Sequence, residues 1–317
     1  MKWRRNLEEY KNVIVIIGPT ASGKTTLSIE LAKRIYGEII SCDSMIIYKD
    51  MNIGTAKPTK EEMQGIRHYM IDIIEPNKEY SVAKYRKQAE DCIETILSKG
   101  KIPIIVGGTG LYYTALTEGI KFQESEVDWE YRKELQKEAK ENGLYRLYER
   151  LKSIDEIAVG KIHPNDEKRI VRALEVYKTT GYNITYHNEM SKKEGVKYNY
   201  IVFGINIDRD ILYDRINKRV DVMIKSGLIT EVEQILKKYN NFPTSMQGLG
   251  YKEVKQYIDG HISKEEMIET LKIETRRYAK RQMTWFKRYE NINWLDKNNS
   301  IEENLKQCLN KINELCY

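Results

Sequence analysis

Eight residues decide the fold of this chain: Gly18-Pro19-Thr20-Ala21-Ser22-Gly23-Lys24-Thr25. They fit the pattern G-x-x-x-x-G-K-[ST], which is typical of a loop that binds phosphates. In such a loop the backbone N–H groups and the N-terminus of the following helix face the phosphate oxygens. Lys24 adds a mobile positive charge, and Thr25 adds a hydroxyl group for Mg²⁺. The pattern predicts a site for a polyphosphate or a diphosphate, and by itself it does not distinguish between them.

The residues on both sides of the loop have the patterns that such a loop requires. The β-branched run Val13–Ile17 predicts a buried parallel strand. Behind the loop, Leu27, Leu31 and Ile35 recur at helical spacing. Gly37 is predicted to end this helix as its C′ residue. Strand, loop and helix together would form a cradle for an anion.

The rest of the chain divides into an alternating part and a helical part. Strands are predicted at residues 38–42, 68–74, 102–106 and 200–207, and helices at 82–97, 129–151, 165–180, 210–226, 229–239 and 263–287. Alternation of strands and helices is typical of a parallel sheet covered by helices. Strand signals are missing between the third and fourth of these strands, where the helical patterns are highly charged. Ser263 and Glu266 make a capping box at the start of the last helix.

These patterns predict an α/β fold in which a P-loop NTPase-like parallel sheet is flanked by helices and carries an all-helical insertion domain. The first part of the core would span residues 1–122, and the insertion would span residues 123–197. Residues 198–317 would return to the core with one strand and the C-terminal helices.

The composition describes a mildly basic chain of 317 residues with a net charge of +6. That charge alone is a weak indication of a nucleic-acid partner. The four cysteines contain no CxxC pair, so neither a zinc site nor a disulfide framework is indicated. No apolar signal segment follows the N-terminus, and no apolar run approaches the ~20 residues of a membrane span. We therefore expect a cytoplasmic protein without a membrane partner.

Two further segments are predicted to meet the phosphate loop at the carboxyl ends of the strands, where open parallel sheets bind ligands. Asp43 follows the second predicted strand and would hold Mg²⁺ in a nucleoside triphosphatase or act as a base in a transferase. The structural alternative for Asp43 is a helix N-cap. The turn Gly107–Gly110 would let a ligand approach the backbone closely, with Thr109 adding a hydroxyl group. Its alternative is a tight turn without a ligand.

Three cations open the helix predicted at residues 165–180. Lys168, Arg169 and Arg172 lie within one turn of each other and would suit a phosphate backbone. The alternative is a solvated face on which they pair with Glu167 and Glu175.

The chain is also basic near its C-terminal end and on one earlier helix. Seven Lys or Arg residues lie between Lys272 and Arg288, interleaved with aromatic residues such as Tyr278. Cations and aromatic rings together favour a nucleic acid, although core packing by the rings is a serious alternative. Arg215 and Arg219, one turn apart on the helix after the returning strand, could instead reach a diphosphate.

Taken together, these segments closely resemble the tRNA dimethylallyltransferase (isopentenyltransferase) family. The matching pieces occur in order and cover most of the chain: GPTASGKTTLSIELAK (Gly18–Lys33), SCDSMIIYKDMNIGTAKP (Ser41–Pro58), YSVAKYR (Tyr80–Arg86), IPIIVGGTGLYYTAL (Ile102–Leu116), IHPNDEKRIVRALEVYKTTG (Ile162–Gly181), GLGYKEV (Gly248–Val254) and AKRQMTWFKR (Ala279–Arg288). Eukaryotic members carry a C-terminal zinc finger. Because no such Cys/His array occurs here, the chain resembles the bacterial type.

The resemblance implies transfer of a dimethylallyl group from dimethylallyl diphosphate to N6 of the adenosine at position 37 of tRNA, 3′ of the anticodon. Asp43 would take the proton of the amine as the C–N bond forms. The Thr20–Thr25 amides, Lys24, Mg²⁺ held through Thr25, and either Arg215 or Arg219 would stabilise the departing diphosphate.

The resemblance also implies contacts with tRNA, whose target adenine must leave its stack. The residues expected to make these contacts are Asp43, Ser44, Met45, Ile46, Thr109, Arg132, Lys168, Arg169, Ile170, Val171, Arg172, Lys280, Arg281 and Gln282. We expect the protein to act as a monomer. A kinase that uses ATP and an RNA-binding module without catalysis are the rival hypotheses.

Overall fold

The computed structural model describes residues 11–120, 128–193, 195–296 and 299–315. It divides the chain into two compact units. The sheet unit consists of Met1–Tyr113 and Tyr198–Tyr317, and the helical unit consists of Thr114–Lys197. The predicted insertion, residues 123–197, falls within the helical unit.

The strands are β1 (Asn12–Ile17), β2 (Gly37–Cys42), β3 (His68–Tyr69), β4 (Ile102–Gly107), β5 (Asn199–Ile205) and β6 (Ile292–Leu295). The helices are α1 (Lys24–Ile35), α2 (Lys60–Met63), α3 (Val82–Leu97), α4 (Gly110–Thr117), α5 (Trp129–Asn142), α6 (Leu144–Ile154), α7 (Glu156–Val159), α8 (Glu167–Thr180), α9 (Ile184–Lys193), α10 (Arg209–Lys225), α11 (Leu228–Lys238), α12 (Tyr251–Ile258), α13 (Lys264–Phe286) and α14 (Ile301–Leu315), with a 3₁₀ turn at Ser245–Gln247. None of the helices in the described part of the chain combines the length and apolar character that crossing a bilayer needs.

The strands form one parallel sheet in the order β3-β2-β4-β1-β5-β6. The predicted α/β class is therefore confirmed. The central strand β1 is buried at every position because it lies between β4 and β5. Its side chains Ile14 and Ile16 pack with Leu31 of α1 and Leu305 of α14. Each such apolar side chain contributes roughly 1.5–3 kcal/mol when fully buried.

The structure corrects the predicted third strand. Only His68–Tyr69 is strand, whereas the apolar pattern predicted one through to residue 74. Met70 and Asp72 adopt positive φ angles of 61° and 53°, which an extended strand does not allow. Ile74 instead forms an isolated parallel bridge with Tyr48, outside the six strands.

The end of α1 also differs from the prediction. Tyr36, with φ of 58°, takes the left-handed position that was expected of Gly37. Gly37 instead begins β2, where a Cβ atom would lie 2.6 Å from Cδ1 of Ile104. The glycine is required there by the close approach of two strands and not by the helix end.

The remaining helical predictions differ in detail. The helix expected at residues 129–151 is two helices, α5 and α6, because Gly143 between them has φ of 85°. The helix expected from residue 165 begins at Glu167, with Asp166 as the cap that accepts the Arg169 N–H. The Ser263–Glu266 capping box is present at the start of α13. Sequence patterns did not indicate β6 or α14.

Candidate active site

The sheet unit contains a cavity of about 680 Å³ at the carboxyl ends of β1, β2 and β4. Residues from the phosphate loop line it, together with Asp43 after β2, Gly107 at the end of β4 and Gly108 after it. Apolar side chains, including Met223, Leu249 and Leu271, line the same cavity. This is the position where open parallel sheets bind ligands, and its lining suits a ligand with a charged part and an apolar part.

The phosphate loop has the backbone geometry of an anion cradle. Ala21 and Gly23 have positive φ angles of 62° and 90°, so the chain curls before α1 begins at Lys24. Within the described chain, no side chain caps the N-terminus of α1. The first N–H groups of the helix are therefore available to an anion, which the helix dipole also favours.

Lys24 contacts the loop itself. Its Nζ donates a hydrogen bond of 2.6 Å to the carbonyl oxygen of Pro19. Burial, and then the nearby positive charge of Arg219, lower the pKa of Lys24 to about 7, although Asp43 acts in the opposite direction. A buried ammonium group with so little compensation is stabilised by a bound anion.

Two buried hydroxyl groups of the cavity make no hydrogen bond with any residue in the described part of the chain. They are Oγ of Ser22 in the loop and Oγ of Ser41 on β2. The two residues are 6% and 3% exposed, respectively, so neither hydroxyl is satisfied by bulk water. Because buried polar groups are nearly always paired, either a polar ligand or an ordered water in the cavity would supply the missing partners.

Only one of the two arginines expected to meet a diphosphate lines the cavity. Nη1 of Arg219 donates to Oγ1 of Thr20 over 3.2 Å, and the side chain is half-buried. Burial lowers the pKa of Arg219, while Glu62 and Asp43 raise it. Arg215 is exposed and does not line the cavity. The structure therefore favours Arg219 and not Arg215.

Asp43 opens onto the cavity and is not a helix N-cap. Its Oδ1 accepts the Met45 N–H over 2.8 Å. Burial raises the pKa of Asp43, while the hydrogen bond from Met45, the charge of Lys24, a hydrogen bond from Ile46 and the charge of Arg219 lower it. A carboxylate with a raised pKa inside a cleft is a candidate general base.

The turn after β4 is joined to the Asp43 segment. Thr109 donates its N–H to the Cys42 carbonyl over 3.1 Å, and its Oγ1 accepts the Ser44 N–H over 3.0 Å. A Cβ atom at Gly107 would lie 2.0 Å from the Cys42 carbonyl oxygen, so only glycine allows this approach. The glycines therefore position Thr109 beside Asp43, which a simple turn would not require.

Two cavity residues were missed by sequence reasoning or given a different role. Tyr278 of α13 lines the cavity, and burial raises the pKa of its hydroxyl group. Gln282, expected to contact RNA, is 5% exposed and binds the Thr20 N–H and the Gly108 carbonyl. The corresponding signal in the sequence is helical spacing, because Tyr278 and Gln282 lie one turn apart on α13.

Glu231, a third residue that sequence reasoning missed, stabilises one wall of the cavity. The carboxylate of Glu231 accepts the N–H groups of Asn52, Ile53 and Gly54 over 2.9, 2.7 and 3.1 Å. It also accepts the Tyr251 hydroxyl over 2.7 Å. Gly54 lines the cavity, so this buried carboxylate fixes the wall through its backbone.

Only some side chains of the basic segment at the start of α8 are exposed. Lys168 and Arg169 at the start of α8 are exposed. Ile170 and Val171 are buried in the core of the helical unit, so their side chains offer no surface to RNA, contrary to expectation. Arg172 pairs with Glu175 over 3.0 Å, the pairing that was the structural alternative.

Of the remaining residues predicted to bind tRNA, some line the cavity and others lie outside its lining. Arg132 pairs with Glu175 over 2.7 Å within the helical unit. Ser44, Met45, Ile46 and Arg281 line the cavity, whereas Lys280 is exposed on α13 without lining it. Thr109 does not line the cavity but borders it through its bonds to Ser44 and Cys42.

Thr25 lines the cavity at the first turn of α1 and is exposed to it. Within residues 11–120, 128–193, 195–296 and 299–315, no group of three or more His, Cys, Asp or Glu side chains could hold a metal ion. Hydroxyl groups beside a phosphate cradle fit Mg²⁺, which is usually held by a few protein oxygens together with phosphates and water.

Comparison with known sequences gives one consistent result. The sequence model of the family described as IPP transferase matches residues 46–289, which is more than half of the chain. A tRNA dimethylallyltransferase of Acetivibrio thermocellus is 53% identical over 304 residues, covering 94% of this chain and 97% of the relative. Another, of Oceanobacillus iheyensis, is 46% identical over 303 residues, covering 95% and 96%.

Solved structures agree with the sequence comparison. The chain is similar to a tRNA isopentenylpyrophosphate transferase of Bacillus halodurans, with a TM-score of 0.73, 41% identity, and 96% of this chain and 97% of that chain covered. It is also similar to a eukaryotic dimethylallyltransferase acting on tRNA, with a TM-score of 0.78, 30% identity, and 94% and 77% covered.

Proposed function

The chain belongs to the IPP transferase family and catalyses dimethylallyl transfer to tRNA, and we propose that its acceptor is N6 of the adenosine at position 37, 3′ of the anticodon. The donor is dimethylallyl diphosphate. The proposal includes a cytoplasmic location, since tRNA is the substrate. It also includes a single chain as the acting unit. One observation carries the proposed mechanism: Asp43 and the phosphate loop open onto the same cavity of about 680 Å³.

The reaction exchanges one bond for another. The amine nitrogen forms a bond to C1 of the dimethylallyl group, and the C1–O bond breaks with its electron pair passing to diphosphate. The adenine amine is a weak nucleophile because its lone pair is delocalised into the ring. The carboxylate of Asp43 accepts the amine proton as the C–N bond forms. Its raised pKa improves it as a base, provided that it stays ionised at working pH.

The phosphate loop stabilises the leaving group. Charge accumulates on diphosphate as the C1–O bond breaks, and the N–H groups at the start of α1 face that charge. Lys24 and Arg219 supply two positive charges in the same cavity. Oγ of Ser22, for which the described residues supply no partner, donates to a phosphate oxygen. The apolar lining, including Leu249 and Leu271, accommodates the hydrocarbon tail.

Thr25 is the residue that would hold Mg²⁺ in this site. The ion, when bound, neutralises part of the diphosphate charge. The Thr25 hydroxyl is placed for this at the N-terminal turn of α1.

Recognition of tRNA uses two sets of residues in this proposal. Thr109 and the segment Asp43–Ile46 meet the adenosine after it leaves its stack. The exposed cations Lys168, Arg169, Lys280 and Arg281 meet the phosphate backbone, and Arg132 and Arg172 can do so only while they also neutralise Glu175.

To test this proposal, the protein is incubated with tRNA and either labelled dimethylallyl diphosphate or ATP labelled in its γ-phosphate. We expect label in tRNA only from the prenyl donor, and none when the tRNA carries guanosine at position 37. Label entering from ATP alone would identify a kinase. Label from neither donor, with tRNA still bound, would identify an RNA-binding module without catalysis.

A further inference from the structure

Gln282 connects two parts of the site that are far apart in the chain. Its Oε1 accepts the Thr20 N–H over 2.9 Å, and its Nε2 donates to the Gly108 carbonyl over 2.9 Å. Thr20 belongs to the phosphate loop, and Gly108 belongs to the turn that positions Thr109. The side chain is 5% exposed.

The backbone around Gln282 leaves little freedom for another arrangement. A Cβ atom at Gly108 would lie 2.1 Å from Nε2 of Gln282 and 3.3 Å from the Gly18 carbonyl oxygen. Both loops and the amide are therefore in close contact at this point. Thr20 is fixed a second time, because its Oγ1 accepts a hydrogen bond from Arg219 over 3.2 Å.

A neutral amide is the side chain that this place requires. One side-chain atom must accept from a backbone N–H while another donates to a backbone carbonyl, and among side chains without an ionisable group only Asn and Gln offer both in one planar group. A carboxylate would lack the donor and would add a negative charge beside the diphosphate cradle. An apolar side chain would leave two backbone groups without partners, which is costly where water is excluded.

We propose that Gln282 is a positioning residue that aligns the leaving-group cradle with the turn carrying Thr109. Through Thr20 it sets the loop that binds diphosphate, and through Gly108 it sets the turn beside Asp43. The distance between base and leaving group then depends on one amide. This role rests on the proposed function, and it differs from the contact with RNA that the basic surroundings of Gln282 suggested.

The test compares Gln282→Met with the wild type and with Gln256→Met. Methionine has nearly the same length and removes both hydrogen bonds, and Gln256 is an exposed glutamine on α12 of the same unit. Three quantities are measured on the full chain: kcat and KM for each substrate, the affinity for inorganic diphosphate without tRNA, and the melting temperature.

We expect Gln282→Met to lower kcat/KM for dimethylallyl diphosphate by about 10- to 100-fold, since two buried backbone groups lose their partners. The affinity for inorganic diphosphate falls by about 10-fold, and KM for tRNA stays within about 3-fold. Gln256→Met leaves all of these unchanged. A raised KM for tRNA with unchanged kcat and diphosphate affinity would overturn the proposal in favour of an RNA contact. A lower melting temperature with normal kinetics would overturn it in favour of a purely structural role.

Gln282→Glu keeps the proposal testable if the methionine variant does not fold. Its ionised form repels diphosphate, whereas its protonated form reproduces both hydrogen bonds of the amide. The ratio of diphosphate affinity between variant and wild type should therefore rise towards one as the pH falls from about 8 to about 5.5. A ratio that does not change with pH would contradict the positioning role. If the wild type itself transfers no dimethylallyl group, the proposed function fails, and the diphosphate measurements still decide the role of Gln282.

Discussion

The cavity of the sheet unit and the surroundings of Glu175 in the helical unit differ in how far the chain itself supplies partners for buried polar groups. Glu175 is 0% exposed, yet its carboxylate accepts from the Asp128 N–H and from Arg132 and Arg172 over 2.7–3.1 Å. In the cavity, by contrast, the hydroxyl groups of Ser22 and Ser41 find no partner among the described residues, and burial displaces the pKa values of Lys24 and Asp43. Polar groups that the chain itself satisfies hold structure. In the cavity, the polar groups that it leaves unsatisfied lie where a ligand could meet them.

The largest effect should follow from removing the carboxylate of the cavity. Asp43→Asn keeps an oxygen that accepts the Met45 N–H but loses the base. We expect kcat to fall by about 10³-fold, within the range that general base catalysis contributes. Binding of tRNA should stay within a few-fold. Single-turnover transfer and filter binding measure the two quantities.

The pH profile of the wild type is the control for this variant. As the proposed base, Asp43 would act in its ionised form, and burial raises its pKa, so activity should decline as the pH falls through a value above the usual carboxylate range. That limb should be absent in Asp43→Asn. Equal losses of turnover and tRNA binding would instead make Asp43 an anchor for tRNA.

The next largest effect distinguishes the two arginines of α10. Arg219→Met removes a charge that lines the cavity and should lower kcat/KM for dimethylallyl diphosphate by about 100-fold. Arg215→Met, one helical turn away and exposed, should stay within about 2-fold of wild type. Steady-state kinetics with saturating tRNA measure both. A larger loss for Arg215→Met would reverse the assignment made from the structure.

A smaller effect is expected from the satisfied centre of the helical unit. Glu175→Gln removes the charge that Arg132 and Arg172 share and should cost about 2 kcal/mol of unfolding free energy. The side chains of Arg132 and Arg172 are 25% and 35% exposed, so water solvates their charges and reduces the loss of stability. Urea unfolding measures the cost, and the chemical step of the folded fraction should be unchanged. A slower chemical step without loss of stability would show that Glu175 acts in catalysis.

The contrast also explains which parts of the molecule could be predicted. Local patterns predict the phosphate loop and the strands β1, β2 and β4. A buried parallel strand and an anion-binding loop each depend on the types of consecutive residues. The burial of Ile170 and Val171 could have been predicted too, since Leu174 continues their apolar face at helical spacing.

Other features depend on contacts that no local pattern contains. Gln282 meets partners 262 and 174 residues away in the chain. Whether Arg215 or Arg219 faces the cavity depends on how α10 is rotated in its packing. The third strand was overestimated because Met70 and Asp72 adopt positive φ angles, which the apolar pattern of the segment does not indicate.

The smallest effect concerns the exposed cations at the start of α8. Lys168 and Arg169 are exposed, and Arg169 makes one ion pair of 3.3 Å with Asp166, which contributes little at a surface. If the pair meets RNA phosphates, Lys168→Ala/Arg169→Ala should weaken tRNA binding by about 5- to 10-fold at low salt and reduce the slope of log K against log salt by about 1.5. Lys133→Ala/Lys140→Ala removes the same charge from exposed positions on α5 of the same unit. A general field effect would lower binding equally in both double variants, whereas a contact at α8 lowers it only in the first. In neither should kcat at saturating tRNA change, because these charges lie outside the residues that line the cavity in which we propose that the C–N bond forms.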